Sequence, residues 1–570
     1  MYRKLFGTDH FVRFIFVAGF TLISVFVLCD CGGKPESNVP DTVAPVEVSQ
    51  KDKADPEVPV EGDWLVWRLR GEPKTLNTIT ARDAYEFYVN LGTVYEALLT
   101  RDNATLKLKP SLAESYSISE DHLEYTFKLR QDVKFHDGVP FTANDIAFTF
   151  DRINDPKVDA AHLKHYFRDV KSLEVIDDYT VKFTYSEPYW KAIYTLGFMP
   201  IIPKHIFEKG DFNNHPNGRH PLGTGPYKFL KWETGQQIVL ERNDDYWGEK
   251  VYLDRIVFKI VTDSTASLQL LKRGDVDLLD DIRAEQWVRQ LKGPQIDKNI
   301  RKITYYQPEY SYIGWNSKRP YFEDKMVRRA MTHLIDRETI RVNIKYGLAK
   351  TVTGSWYVNS PEYDSSIKPW PHDPAEAVRL LDEAGWKDSD DDGIRDKDGV
   401  PFRFEFLISS GSVFAEQLST ILKEDLKKVG VDMTIRKLEW ATFEQKVTDR
   451  DYDATTMRWK LVPEADPYQI WHSSQAEKGS NFVGFVNAEA DDIIERSRRE
   501  FDEEKRWTMF KRFHAIMHEE QPYTFLFCSE SLEALDKRFA NVEVYPLGLD
   551  LLEWYVPKAL QKRGVATLVD

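Results

Sequence analysis

Apolar residues recur with two different periods along this chain, and their order predicts strands that alternate with helices. Residues 64–69, 124–130 and 402–406 have the apolar alternation typical of strands. Residues 414–429 carry apolar side chains at helical spacing, and residues 431–436 follow as another strand. Because the stretch from 402 to 436 is predicted as strand, helix and strand, we expect a β-α-β unit and a partly parallel sheet.

Three longer helices are predicted, and one of them has clear signals at both ends. They cover residues 84–99, 374–384 and 490–520. Asp373 is a good N-cap for the second helix, and Gly385 tolerates the left-handed conformation that ends a helix. The sequence therefore predicts an α/β protein with both strand and helix layers.

The N-terminus differs from the rest of the chain. Three basic residues precede an uncharged, mainly apolar run over residues 14–28, which is too short for a comfortable membrane span and suits a signal peptide over residues 1–30. The next residues resemble a bacterial lipoprotein box, with Cys31 as the residue that would take the lipid and Cys29 as the second candidate. An ordinary signal peptide and an uncleaved anchor are the alternatives. Each of these three N-terminal signals would export the protein. Residues 31–61 are predicted to be a disordered tether.

Composition and charge narrow the functional classes. A chain of 570 residues is too long for one core and predicts about three domains. The formal net charge of −15 argues against a nucleic acid or an anionic membrane surface as partner. Cys528 is the one cysteine of the folded body, so we expect neither a disulfide framework nor a cysteine metal site there.

A series of short sequence blocks is spread in a fixed order over residues 64 to about 555. The blocks, in chain order, are Tyr95-Glu96, Phe135-His136-Asp137-Gly138, Ala143-Asn144-Asp145-Ile146, Gly223-Thr224-Gly225-Pro226-Tyr227, Tyr246-Trp247, Gly274-Asp275-Val276-Asp277, Trp315-Asn316, Ile335-Asp336-Arg337, Asp373-Pro374, Asn481-Phe482 and Gln521-Pro522. No single block is specific, but together and in this order they resemble the bacterial extracellular solute-binding proteins of the peptide, oligopeptide and nickel group (family 5), the receptor subunits of ABC importers.

The resemblance implies a fold and a domain plan. The fold is α/β, a two-lobe periplasmic-binding-protein fold of class II type, with an extra inserted domain, mixed sheets and a hinge of two crossing strands near residues 309 and 530. The domain boundaries that we predict are 62–104, 226–309 and 531–570 for lobe I, 105–225 for the extra domain, and 310–530 for lobe II.

The resemblance also implies a function. We expect a monomeric receptor, not an enzyme, that captures a peptide or another small solute between closing lobes and delivers it to ABC transporter permease subunits. It would work in the periplasm or at the cell surface, anchored to a membrane by its lipid. A non-peptide solute (an oligosaccharide, a metal chelate or a signalling molecule) is the alternative within this fold. An exported hydrolase and a surface adhesin are the remote alternatives, and neither has a supporting motif.

The predicted ligand-binding wall of lobe II follows the strand that ends at Trp459. Peptide-binding family members hold the ligand's α-amino group with an acidic residue three positions after this Trp, and here that position is Val462. The resemblance therefore leaves two alternatives: Glu464 is a substitute anchor, or the ligand has no such amine, because a buried ammonium group without a carboxylate is costly. Trp459 is expected to pack on the ligand, and Arg458 to meet a carboxylate. Asp466 is expected to be structural.

Two further sites are predicted. Ala81, Arg82 and Asp83 occupy the lobe I position where relatives pair their backbone with ligand. A loop with alternating aspartates, whose candidate ligands are Asp388, Asp390, Asp392 and Asp396, resembles a calcium loop because Gly393 stands at its sixth position. Gly399 replaces the bidentate Glu of an EF-hand, so the alternative is a solvated turn. Calcium is the one cofactor considered.

Overall fold

The computed structural model describes residues 58–563 and contains three main sheets. The predicted signal peptide, Cys29 and Cys31, and most of the predicted tether lie outside the described residues. Among the described residues, 58 to 563, we find no helix that combines the length and the apolar character needed to cross a membrane.

The largest sheet has eight strands, and its central strand Trp64–Leu69 is buried on both faces. Leu65 and Leu69 join one apolar core while Trp64 and Val66 join another, as the period of two requires. The central strand pairs in parallel with its two neighbours, Arg255–Ile260 and Leu278–Leu279. The spatial order is Ile300–Tyr306, Phe527–Asp536, Leu278–Leu279, Trp64–Leu69, Arg255–Ile260, Gln237–Arg242 and Tyr227–Glu233, with Ala349–Thr351 beside Phe527–Asp536.

The second sheet has five strands and lies between two aromatic cores. The segment Arg403–Ser409, Val413–Lys427, Asp432–Leu438 forms the predicted β-α-β unit, and its two strands are parallel. The spatial order is Asp432–Leu438, Arg403–Ser409, Ala454–Lys460, Glu309–Trp315 and Tyr523–Phe525.

A third, antiparallel sheet has the spatial order Ala113–Ile118, Glu124–Leu129, Thr180–Tyr185 and Val170–Asp177. Three small ladders pair Leu99–Arg101 with Leu108–Pro110, Asp396–Lys397 with Val400–Pro401, and Val544–Tyr545 with Gly548–Leu549.

The helices cover the sheets. The α-helices are Ala84–Asn90, Ala143–Asn154, Ala161–Lys164, Ala192–Gly197, Lys204–Phe207, Ser264–Arg273, Ala284–Arg289, Pro294–Asn299, Lys325–His333, Arg337–Asn343, Pro374–Glu383, Val413–Lys427, Trp440–Thr448, Tyr468–Trp471, Ala488–Arg498 and Glu503–Glu520. Short 3-10 turns cover Pro216–Gly218, Ser473–Gln475, Leu551–Glu553 and Lys558–Leu560. The Asp373 carboxylate caps its helix by accepting from the Glu376 N–H at 3.0 Å, as predicted.

The chain crosses between the eight-stranded and five-stranded sheets at two neighbouring places. Strand Ile300–Tyr306 continues into Glu309–Trp315, and Tyr523–Phe525 continues into Phe527–Asp536. The crossings are tied together, because the Ser311 hydroxyl donates to the Phe527 carbonyl at 3.2 Å. This arrangement, with its mixed sheets and extra antiparallel sheet, confirms the predicted fold class; the domain boundaries stay a prediction.

Two predicted helices were wrong in extent. The first helix ends at Asn90 instead of residue 99. The residues after Asn90 turn away from the helix axis and contact the backbone around Gly225. There the Gly225 N–H donates to the Val94 carbonyl at 3.0 Å, and a side chain at residue 225 would collide with this backbone. Tertiary contact therefore overrides the local helical preference.

The second incorrect helix, over 490–520, is two helices. The first ends at Arg498, and Asp502 begins the next by accepting a hydrogen bond from the Lys505 N–H at 3.1 Å. The Asp502 side chain accepts from the backbone N–H groups that a continuous helix would use, so a new helix starts there. The apolar periodicity continues across this break, which is why the sequence predicted one helix.

A buried ion cluster fastens both ends of the described chain to the eight-stranded sheet. Arg538 is 4% exposed and donates to Asp63 at 3.2 Å, to Asp277 at 2.9 Å and to Asp536 at 3.1 Å. Arg563 adds a second guanidinium to Asp277. Each buried charge therefore has a partner of opposite sign, which its removal from water requires.

We expect Arg538→Met to lower the free energy of unfolding by about 3–5 kcal/mol, because it leaves buried carboxylates without this counter-charge. Urea unfolding followed by tryptophan fluorescence measures the change. Arg496→Met is the control, since Arg496 forms an exposed pair with Asp492 and should change stability by less than about 0.5 kcal/mol. Equal midpoints for both variants would contradict the assignment.

Candidate solute-binding cleft

The strand directions place the carboxyl ends of the parallel strands of both sheets at the crossing. Strand Ile300–Tyr306 leaves the eight-stranded sheet there, and the pairing directions put the ends of Trp64–Leu69 and Leu278–Leu279 at the same edge. In the five-stranded sheet, Glu309 starts at the crossing and pairs with Lys460, the last residue of its antiparallel neighbour. Two sheet edges therefore face each other, and ligands of open α/β sheets bind outside such edges.

The corresponding edge of the five-stranded sheet, in predicted lobe II, carries cationic side chains. Arg458 and Lys460 alternate at the strand end, and Arg458 pairs with Glu309 at 3.3 Å. Burial and the Arg458 guanidinium lower the pKa of Lys345 to about 8, and the same two causes lower the pKa of Lys460. Arg458 and the two lysines thus form a positively charged edge, which suits an anionic group.

The opposite edge, in predicted lobe I, carries acidic side chains. Asp281 pairs with Arg70 at 2.6 Å, while burial and the neighbouring Asp281 raise the pKa of Asp280 to about 6. Glu533 accepts a hydrogen bond from the Tyr305 hydroxyl, and burial raises its pKa to about 8, so the negative charge of this edge at neutral pH comes from the aspartates. The field of Asp280 and Asp281 reaches Lys460 of the opposite lobe, so the two edges are electrostatically complementary across the cleft.

Trp459 lies behind the charged wall, in the aromatic core of the five-stranded sheet. Its ring is 0% exposed and stacks on Tyr312 and Phe482, with centroids 6.3 and 6.0 Å away. Its Nε1–H donates to the Tyr523 hydroxyl at 3.3 Å. In this conformation the ring supports the strand that presents Arg458, and its contact with ligand stays a prediction.

The loop after Lys460 joins lobe II to the other domains. Val462 is buried, and the Glu464 carboxylate receives two hydrogen bonds from Arg101, one of them from Nε at 3.1 Å. Asp466 accepts from the Tyr189 hydroxyl at 2.8 Å. Glu464 is thus occupied by a lobe I guanidinium here, and its role as ligand anchor stays a prediction.

The lobe I candidates lie in local contacts of their own. Ala81 is buried, Arg82 forms an ion pair with Asp159, and Asp83 caps the helix Ala84–Asn90 by accepting from the Glu86 N–H at 3.1 Å. The structure brings Arg458, Trp459 and Glu464 to one strand end and the loop after it. It holds residues 81–83 at a helix start, where their contact with ligand also stays a prediction.

Comparison with known proteins agrees with this architecture. The family model for bacterial extracellular solute-binding proteins, family 5 Middle, matches residues 107–481. The chain belongs to this family.

Its relatives include receptors for different solutes. The oligopeptide-binding protein AppA of Bacillus subtilis is 32% identical over 521 residues, covering 88% of this chain and 93% of AppA. The solved structure of AppA, in complex with a nonapeptide, superposes with a TM-score of 0.74 at 31% identity, covering 88% of this chain and 100% of that one. The structure of NikZ from Campylobacter jejuni in complex with Ni(L-His) gives a TM-score of 0.72 at 26% identity, covering 86% and 99%.

Sequence analysis did not identify several cleft residues of this family 5 protein. Asp280, Asp281, Lys345 and Arg101 carry no local motif, because their partners are distant in the chain. Lys460 had a usable signal, since it alternates with Arg458 at the end of a strand whose other residues are buried.

The aspartate loop brings three of its four candidates together. Oxygen atoms of Asp388, Asp390 and Asp392 lie within 4.8 Å of one another on the surface, and Gly393 has the positive φ of 84° that this turn requires. Asp396 instead accepts from the Ser389 N–H at 2.9 Å. The three carboxylates are the hard oxygen ligands that calcium prefers, and calcium binding stays a prediction.

We expect this loop to bind calcium weakly, with a Kd on the order of 10⁻⁴–10⁻³ M, because it offers three carboxylates and lacks a bidentate Glu. Titration calorimetry measures it. Asp390→Asn should abolish binding, whereas Asp391→Asn, a change at a loop aspartate outside the group of three, should preserve it. Absence of a calorimetric signal in the wild type at millimolar calcium would refute the calcium loop.

Proposed function

We propose that this family 5 protein captures a peptide-like solute between its lobes and delivers it to the permease of an ABC importer. The observation that carries the proposal is the pair of complementary edges: carboxylates on lobe I face cations on lobe II. A peptide carries both an ammonium group and a carboxylate, which can pair with edges of opposite charge. The similarity to AppA supports the same class of solute.

Within this proposal Arg458 receives a carboxylate of the solute. The guanidinium offers paired donors that fit a carboxylate. Glu309, at 3.3 Å, is the one acceptor that it contacts among residues 58–563, which leaves donors for the solute. Trp459, Glu464 and Ala81–Asp83 are further proposed contacts, the first as an aromatic surface and the last through backbone groups. The protein works as a monomer and returns the solute chemically unchanged.

The non-peptide alternative rests on Val462. An apolar, buried side chain stands where peptide-binding relatives place the acidic residue for the α-amino group. A solute without that amine would avoid the cost of an uncompensated ammonium group. The similarity to NikZ is consistent with a non-peptide solute within the same fold.

Native mass spectrometry of the protein purified with its solute, followed by titration with the identified compound, tests the proposal. We expect one peptide per chain, and Arg458→Met should weaken binding about 10–100-fold, the value of a charged hydrogen bond of about 1.5–3 kcal/mol. Arg496→Met, an exposed arginine of the same lobe, is the control.

If the bound compound has no free amine, the non-peptide solute replaces the peptide as the proposed ligand. Turnover of the bound compound would refute the receptor role in favour of an enzyme. Unchanged affinity in Arg458→Met would remove Arg458 from the site.

We further propose that the protein is exported and anchored by a lipid on Cys31. The support is the apolar run over residues 14–28 and the lipoprotein-like box that follows it. Labelling with a fatty-acid analogue and membrane fractionation measure the anchor. Cys31→Ser should abolish labelling and move the protein to the soluble fraction, whereas Cys29→Ser should not; the reverse pattern would assign the lipid to Cys29.

A further inference from the structure

A row of contacts made by Glu464, Asp466 and Trp190, which we call the seam, closes the cleft on the side of the extra antiparallel sheet. Glu464 pairs with Arg101, and Asp466 lies 3.6 Å from the Arg498 guanidinium. The loop of Trp190 continues the seam, since the Trp190 N–H donates to the Arg498 carbonyl at 3.0 Å. The two carboxylates are therefore each occupied by an arginine.

One cation of this seam, Lys191, is not bonded to an acceptor in the described part of the chain. Lys191 is 2% exposed, and its Nζ donates to no acceptor among residues 58–563. It lies in the field of Glu464 and Asp466, but neither carboxylate forms an ion pair with it within 4.0 Å in that described part of the chain. The buried Arg538, by contrast, is in contact with opposite charges.

The state of Lys191 makes the missing partner costly. Burial, with Arg101 and Arg498, lowers its pKa to about 8 although Glu464 and Asp466 act in the opposite direction. The amine is therefore still mostly protonated at neutral pH. Burying an ammonium group without a bonded counter-charge is unfavourable, so an anion that enters beside it gains a strong site.

The geometry of the seam points to an anion subsite in which Lys191 and Arg101 hold a second carboxylate of the captured solute. We propose that this favours solutes with an acidic side chain in addition to the carboxylate that Arg458 receives. The subsite rests on the proposed function. It adjoins the cleft through the Glu464 loop, which leaves the cleft edge at Lys460, and the Arg101 side chain is 24% exposed, which gives an anion access from solvent.

The groups that face the subsite fit a carboxylate better than a second ammonium group. Each carboxylate there already contacts an arginine: Glu464 contacts Arg101, Asp466 lies 3.6 Å from Arg498, and Asp169 lies 3.9 Å from Arg498. Phe198 covers one face of the Arg101 guanidinium at 4.1 Å, which shields it from water. An incoming carboxylate would give Lys191 a bonded partner, whereas an ammonium group would add a second cation without one.

The test compares matched peptides by native mass spectrometry in competition. An equimolar pool of short peptides contains each sequence twice, once with Glu and once with Gln at the same position. We expect the wild type to prefer the Glu member of its bound pairs by about 10–100-fold, as one charged contact provides. Lys191→Met should bind both members equally.

Two control variants separate this effect from general damage. Lys302→Met removes another partly buried lysine, whose ammonium bonds to the Trp287 carbonyl at 3.2 Å in lobe I, and should retain the preference for Glu. Lys191→Arg, which restores the charge, should recover part of the preference. Lys191→Met should also fold with an unchanged or raised Tm, because it removes an unbonded charge and retains the apolar stem.

Equal binding of Glu and Gln peptides by the wild type, or an undiminished preference in Lys191→Met, would overturn the subsite. If no peptide binds the wild type, the proposed peptide function fails. The subsite is then judged from small anions: a rise in Tm with sodium acetate in the wild type but not in Lys191→Met supports it as a site for free carboxylates, and no difference between the two overturns it.

Discussion

Two adjacent strand crossings constrain the rest of this molecule. Because the chain passes between the two large sheets at Tyr306–Glu309 and Phe525–Phe527, the strand ends that carry polar residues must face each other beside the crossing. The Ser311 hydroxyl and the Leu461 N–H, which donates to the Pro308 carbonyl at 2.7 Å, hold the crossings in register. A cleft with opposite walls follows from this connectivity before any ligand is considered.

The cost of burying charge determines how the walls are built. Where stability alone is concerned, as around Arg538, each buried charge is in contact with its partners. At the cleft the pairing is incomplete: in the described part of the chain Arg458 contacts one carboxylate, that of Glu309, and Lys191 has no bonded anion. Incomplete pairing is tolerated where a ligand completes it, so these positions mark the function more clearly than the aromatic residues do.

The seam connects residues of the three predicted domains. Glu464 contacts Arg101, Asp466 contacts Tyr189, and the Trp190 N–H donates to the Arg498 carbonyl. Separating the lobes would expose these charges to water, and their hydration would offset most of the interaction energy lost with the ion pairs. Such contacts are therefore weak enough to open, and a solute that adds one carboxylate to the cluster shifts the balance toward closure.

Local patterns determined the elements of this protein: the strand Trp64–Leu69, the capped helix Pro374–Glu383 and the β-α-β unit were all predictable, because periodicity and caps act within a few residues. Ordered motifs also identified the family and its two-lobe fold. Tertiary structure alone decided that the first helix stops at Asn90, that Glu464 meets Arg101, and that Lys191 has no bonded acceptor within residues 58–563. The partners in these contacts are up to 363 residues apart, and no local period records which charges a fold will bring together.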